Sequence, residues 1–338
     1  MTGWFPPPRF YSTWVGLFLV ETCADGTSNC HERENATHGD YLRAGIHLDK
    51  QQIGCALIVG QNVSSASPWR LGVLRALRTE RLRRAALRTL VMDLGMNDFR
   101  ERHPDSQLSP VLVLIASYQE AENIGAVLDA VPRTVHGLDV STLVIVDGGD
   151  DDTPKIVNTA NAYCAVLPVN MGQGVALRLG YEIAIAGGCQ YVVTLDADGQ
   201  NDPGEMADLL KPIIDDKADF VIGSRRLGTD ETSDRLRKSG VVVFAEIINR
   251  LGRQDLTDTS NGFRAFRSAV IADLTLEQDQ YQTAEVILAA AARGWRIAEC
   301  PTVWRPRSSG ESKKGHNLWF GLQYARVIAS TWLRERRR

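Results

Sequence analysis

No apolar run in these 338 residues approaches the roughly 20 that a membrane-spanning helix requires. Residues 14–20 are apolar but too few. Pro6, Pro7, Pro8 and a single arginine precede them, a poor match to a secretory leader. Cysteine is scarce and unpatterned. Cys23, Cys30, Cys55, Cys164, Cys189 and Cys300 show neither Cys-x-x-Cys nor a zinc spacing, which excludes a disulfide framework and points to a reduced, cytoplasmic chain. The sequons at Asn35 and Asn62 carry no weight in such a compartment. Excess positive charge is also missing: 38 Lys and Arg face 41 Asp and Glu, for a net charge of -3, so no basic nucleic-acid-binding domain is expected. A 44% hydrophobic and 23% charged composition excludes disorder. His31, His38 and His47 form no ligand spacing.

What is present becomes regular only after Pro104 and Pro110. Residues 1–105 read as an N-terminal extension of uncertain role. It contains a polar loop over 26–39, a candidate strand over 53–59 and an arginine-rich helix over 69–92. That helix suits either an anionic membrane or packing against the main domain. From 111 the chain alternates apolar runs with amphipathic stretches. Strands are expected over 111–116, 143–146, 165–167, 191–195 and 220–223. Helices are expected from 124 to the stop at Pro132, from Pro154 with Asp152 or Thr153 as cap, from Val175, and after Asp202-Pro203. This alternation indicates a doubly wound, mostly parallel α/β sheet with helices on both faces.

The run Tyr191-Val192-Val193-Thr194-Leu195 ends in Asp196-Ala197-Asp198-Gly199-Gln200. An acid-x-acid triplet arises about five times by chance in a chain of this composition. Its position at the carboxyl end of a predicted strand, where α/β sheets bind ligands, is what singles it out. Two carboxylates and the Gln200 carbonyl form an all-oxygen set suited to Mg²⁺ or Mn²⁺, and such a cation usually also binds substrate phosphates. Gly172-Gln173-Gly174 invites a dinucleotide-binding reading but fails at Leu177, where a third glycine is needed.

Ordered blocks of sequence follow this pattern. They are Ala116-Ser117-Tyr118-Gln119-Glu120, Val146-Asp147, Asn170-Met171-Gly172-Gln173-Gly174, Asp196-Ala197-Asp198-Gly199-Gln200, Ile222-Gly223-Ser224-Arg225, Asn261-Gly262-Phe263-Arg264, Glu285, and Arg307 through Gly310 and Ser312 to Lys313. Over residues 106–315 the chain resembles a family 2, GT-A-fold glycosyltransferase, and most closely the branch that glycosylates polyprenyl or dolichyl phosphates. The resemblance implies a nucleotide-sugar donor bound by Ser117, Tyr118, Glu120, Asp147, Gly172, Gly174, Asp196 and Ala197. It implies Mg²⁺ or Mn²⁺ on Asp196, Asp198 and Gln200. It implies a polyprenyl-phosphate acceptor held by Arg225, Arg235, Ser239, Arg307 and Lys313, with Asp198, Arg225 and Glu285 catalytic. In one departure, Gly148 stands where the family usually has a second acid, and Asp150, Asp151 and Asp152 crowd the loop instead. Two alternatives keep the donor site: a soluble phosphorylated acceptor, or a nucleotide-sugar-binding protein with little transfer. Residues 316–338 read as an amphipathic helix with Trp319, Tyr324, Trp332 and a cationic end, suited to peripheral contact with the cytoplasmic membrane face or to packing on the core.

Overall fold

The computed structural model describes residues 68–232, 235–307 and 317–338, with side chains outside 68–81, 235–241 and 317–320. The candidate strand at 53–59 lies outside the described residues. The chain divides into units 1–83 and 84–338, and of the first only residues 68–83 are described, as helix.

In the second unit, β1 (Val111–Ser117) lies between β3 (Leu138–Val146) and β5 (Tyr191–Asp196), parallel to both. β4 (Tyr163–Val166) pairs in parallel with β3, and the short β2 (Thr134–Val135) pairs antiparallel with it. On the other side of β5 comes an antiparallel strand, β7 (Arg264–Arg267), then β6 (Phe220–Asp230) and β8 (Ile297–Trp304), in an 8-stranded sheet. The predicted strands at 111, 143, 165, 191 and 220 are all present. β2, β7 and β8 are additions, and β7 separates β5 from β6.

Side chains alternate across this sheet, so each strand feeds two cores. Leu112, Leu114, Ile145, Val192, Phe220, Ile222 and Phe266 enter one core. Val111, Val113, Ile115, Val144, Val193, Leu195 and Val221 enter the other. The second core is closed by α2 (Ile124–Ala130), α3 (Thr153–Thr159) and α5 (Met206–Ile214), through Ile124, Val127, Val157, Met206, Leu209 and Ile213. The first is closed by α4 (Gln173–Ala186), by α8 (Gln282–Ala292), and by the C-terminal helix α9 (Asn317–Glu335), which inserts Tyr324, Val327 and Ile328. Two more helices, α6 (Arg235–Gly252) and α7 (Ser268–Asp273), contribute Ile248, Val270 and Ile271 to it.

Helix α1 (Pro68–Arg102) runs beyond the predicted end at 92, and Val91, Met92 and Phe99 join the first core. The extension covers a sheet edge. Asp98 Oδ2 accepts from the Val166 backbone at 2.8 Å, and His103 Nε2 accepts from the Cys164 backbone at 2.9 Å. Side chains from α1 and the residue after it thus cap the open donors of β4, which would otherwise invite a further strand. Burial lowers the pKa of His103, consistent with a neutral accepting ring. Cys164, Cys189 and Cys300 are free thiols, each pushed by burial up to about 11.

The predicted cap of α3 needs correction. Asp152 makes no side-chain cap. Asp151 accepts from Thr153 N, Thr153 Oγ1 and Ala121 N, because its carboxylate reaches both the helix start and the loop after β1.

One ion cluster locks the far end of the sheet. Asp219, just before β6, binds Arg296 at 2.8 Å and Arg267 at 3.2 Å. Hydrogen bonding from Arg296 holds the Asp219 carboxyl down at about 2, below its ordinary 3.8. A carboxyl lowered in the folded state stabilises above the unfolded value and loses that contribution as pH falls through the folded one. Asp219→Asn should therefore cost about 1 kcal/mol at pH 7, a discounted figure because Arg296 is half exposed. Thermal unfolding would show this as a Tm about 2–4 °C lower. The gap between the two proteins should close between pH 4 and pH 2.

Candidate functional site

The register of the three central parallel strands sets the site. Ser117 pairs with Val146, and Ala116 pairs with Asp196, so Ser117, Asp147 and Asp196 stand side by side at the carboxyl ends. Ser117 Oγ is buried with no hydrogen-bond partner. An orphan polar atom at a strand end is what a site built for a polar ligand leaves.

Asp147 is buried. Its two oxygens accept from Met171 N at 2.8 Å and Gly172 N at 2.7 Å. Burial raises its pKa, while the two amides oppose the rise. It thereby folds the 170–174 turn over the sheet end. Gly148 follows at φ +71, and a Cβ there would sit 2.6 Å from Asn170 N. An acid at 148 would be strained and would collide with the turn that Asp147 holds, which accounts for the departure at this position. The neighbouring acids have local duties: Asp150 accepts from Gln119, Asp151 caps α3, and Asp152 pairs with Lys155.

The Asp196-Ala197-Asp198-Gly199-Gln200 segment leaves β5 beside this turn. Asp196 Oδ1 accepts from Gln173 at 3.0 Å. Gly262 lies so close that a Cβ there would fall 2.8 Å from the same oxygen. Asp198 is buried, with one oxygen on Gln200 N at 3.1 Å and the other on Arg307 at 2.8 Å. Arg307 also reaches Glu120 at 3.2 Å, so one guanidinium joins the loops after β1 and β5. The Gln200 side-chain amide nitrogen donates to the Arg305 carbonyl at 3.0 Å. Among the described residues no three His, Cys, Asp or Glu side chains form a closed metal cage. Two carboxylates and an amide oxygen still fit a hard cation that keeps waters and takes the rest of its shell from a diphosphate. Gly262, by having no Cβ, keeps that carboxylate clear.

Arg225, at the end of the buried part of β6, is itself buried. It forms a bidentate pair with Asp258 at 2.6 and 2.8 Å, also binds Ser260, and lies 4.9 Å from the Trp304 ring centroid. Burial disfavours its charge, but Asp258 prevails and holds its pKa above the ordinary value. Asp258 itself is buried, yet Arg225 holds its carboxyl below the usual range. Arg264 is buried without a carboxylate partner. It donates to the carbonyls of Asn261, Thr259 and Thr283, fixing the loop that carries Gly262.

Of the other expected residues, the Tyr118 ring lies near Gly149, where a Cβ would sit 3.7 Å from its Cε2, and Ala197 is buried. Gly174 N donates to the Asp279 carbonyl. Arg235 and Ser239 fall on the first turns of α6. Their side chains, and Lys313, lie outside the described residues. Glu285 is fully buried and accepts from Glu277 N and Gln278 N, so it supports a loop and offers no open face to a sugar. Asp258 and Asn201 were not singled out from the sequence. Asp258 follows no strand signal. Asn201 is buried, pairs its backbone with Trp304, and leaves both ends of its amide without a partner. Its place directly after Gln200 was the available signal.

Comparisons with known proteins place the chain in a family. Residues 112–275 match the family described as glycosyl transferase family 2. A dolichyl-phosphate hexose transferase of Haloferax volcanii is 33% identical over 201 residues, covering 60% of this chain and 85% of the relative. An undecaprenyl-phosphate mannosyltransferase of Micrococcus luteus is 28% identical over 221 residues, covering 60% and 86%. Among solved structures, glucosyl-3-phosphoglycerate synthase from Mycobacterium tuberculosis with Mn²⁺, UDP and glucosyl-3-phosphoglycerate has a TM-score of 0.53 at 17% identity, covering 71% of this chain and 83% of that one. At that identity the likeness speaks to the fold.

The Arg225–Asp258 pair carries a direct test of the site's architecture. Asp258→Asn leaves a buried guanidinium without its counter-charge, which should cost about 3–5 kcal/mol in urea unfolding.

Proposed function

The chain belongs to glycosyl transferase family 2 and is a glycosyltransferase, and from that premise we propose that it moves a hexose from a nucleotide sugar to a polyprenyl phosphate. The observation that carries the reading is the convergence of Asp196, Asp198 and Gln200 with Arg307 at the carboxyl end of the sheet. The relatives named for dolichyl and undecaprenyl phosphates support the acceptor class.

The donor's base and ribose would sit against Ser117, Tyr118, Glu120 and Asp147, where Ser117 Oγ awaits a partner. Mg²⁺ or Mn²⁺ on Asp196, Asp198 and Gln200 would supply Lewis-acid stabilisation of the departing diphosphate. The acceptor phosphate is the nucleophile. With a second pKa of about 6 it is largely dianionic near neutral pH and needs no strong general base. Its oxygen bonds to the anomeric carbon as the bond to the diphosphate breaks, in one inverting displacement. Arg225, Arg235, Ser239, Arg307 and Lys313 orient that phosphate. Arg225 has Nε and Nη2 on Asp258 and Ser260, so Nη1 is the donor left for a phosphate oxygen. A guanidinium fixed in this way binds phosphate with little reorganisation.

A lipid acceptor calls for a membrane approach. Among the described residues no helix is long and apolar enough to cross a bilayer. Val243 on α6 and Leu322 on α9 are 58% and 59% exposed, while Phe244 and Tyr324 pack edge to face at 4.9 Å between the same helices. These apolar side chains support peripheral contact with lipid.

The test is transfer of radiolabelled sugar from a panel of nucleotide sugars into organic-extractable product, with a short polyprenyl phosphate and Mg²⁺ or Mn²⁺. Metal-dependent lipid label is expected, reduced about 10³-fold or more in Asp198→Ala. Label confined to a water-soluble product would replace the lipid with a soluble phosphorylated acceptor. Donor binding with no transfer would sink the catalytic reading. Val243→Glu with Leu322→Glu should lower transfer into vesicle-embedded acceptor severalfold while leaving donor hydrolysis intact.

A further inference from the structure

Three arginines from three helices converge on a loop that the proposed chemistry does not touch. The loop, residues 276–281, joins α7 to α8. Arg88 of α1 binds Asp279 at 2.7 Å. Arg178 of α4 binds Asp279 at 3.0 Å and donates to the Leu276 carbonyl at 3.0 Å. Arg334 of α9 binds Glu285 at 2.7 Å, and Glu285 accepts the backbone N–H groups of Glu277 at 2.8 Å and Gln278 at 3.0 Å.

What this loop supports gives the contacts their meaning. The Asp279 carbonyl accepts from Gly174 N at 2.8 Å. A Cβ on Gly174 would collide with the Gln278 carbonyl, and one on Gly172 would lie 2.6 Å from the Asp279 carbonyl. Gln282 closes the contact by donating to the Gly174 carbonyl at 3.1 Å. The 170–174 turn is therefore seated on the loop on one side and held by Asp147 on the other. Glu285 is fully buried, and Arg334 is the cation paired with it. Arg334 also pairs with Glu335 and lies 3.7 Å from Glu277.

We infer that Arg334 is a positioning residue for the donor-binding turn, and that the last turn of α9 is thereby part of the donor site. Arg334 fixes the Glu285 carboxylate in place. Glu285 holds the Glu277 and Gln278 amides, and their loop sets the height of Gly172 and Gly174 beneath the donor. Arg88 steadies the same loop from α1. The inference rests on the donor-binding reading above.

The experiment compares wild type, Arg334→Ala, Arg334→Lys and Arg88→Ala as full chains. It measures steady-state kinetics with varied nucleotide sugar, calorimetric binding of UDP and of GDP with Mn²⁺, and thermal unfolding. In Arg334→Ala the donor KM and the nucleotide Kd should rise together by about tenfold, with kcat within about twofold. Arg334→Lys should recover most of that loss. Arg88→Ala should raise KM about threefold, since Arg178 still holds Asp279. A folded Arg334→Ala with unchanged KM and Kd, or with a fall in kcat alone, overturns the inference and leaves the donor reading standing. If wild type binds neither nucleotide, the reading and the inference fall together. Should Arg334→Ala not unfold cooperatively, Arg334→Gln takes its place, and unchanged KM and Kd in that variant overturn the inference.

Discussion

The parallel register of β1 between β3 and β5 is the constraint on which the rest of the structure depends. It places Ser117, Asp147 and Asp196 in one row where three buried strands end together. Because the strands are covered on both faces, the row opens only along their carboxyl edge. Every later feature has to come to that edge: the 170–174 turn, the Gly262 loop, Arg307 and the helices behind them.

Such an edge gathers charge, and buried charge is stable only when paired. The protein answers with fixed partners. Asp147 takes backbone amides, Asp198 takes Arg307, Arg225 takes Asp258, and Glu285 takes Arg334. Arg264 is the exception, a buried guanidinium satisfied by carbonyls alone. Burial lowers its pKa, and the three carbonyls stand in for a counter-ion. These pairs add little net stability compared with apolar packing, but breaking any of them is costly. They act mainly as geometric pins, holding polar groups where a ligand with several phosphates would meet them.

Much of this was legible in the sequence. Continuous apolar runs marked β1, β3 and β5, and the acids after them marked the site, because a strand buried on both faces leaves no other place for polar chemistry. β7 was not legible. Arg264-Ala265-Phe266-Arg267 has no apolar run, and its two arginines turn their heads to carbonyls and to Asp219. β8 was hidden by Pro301 and by a strand that is half exposed. Glu285 and Arg225 were singled out from the sequence, but their partners Arg334 and Asp258 were not. A partner many residues away leaves no local pattern, since only the fold brings it near. Asp152 illustrates the reverse: the sequence pointed to the right acidic loop, and side-chain reach decided that Asp151 caps the helix.

The insertion of β7 beside β5 has a consequence in time as well as space. The strand that carries Asp196 has β1 on one side early in synthesis, but its other neighbour lies at 264–267, about seventy residues further on. Until that segment emerges, β5 is an edge strand with unpaired backbone groups, the kind of surface that recruits other chains. Arg307 and then Arg334 arrive later still. A growing chain therefore has its sheet centre before Arg307 and α9 are in place to complete the candidate site. Long-range pairing of this sort slows folding. An interrupted product that stops before Arg307 and Arg334 carries the acids without the partners that fix them.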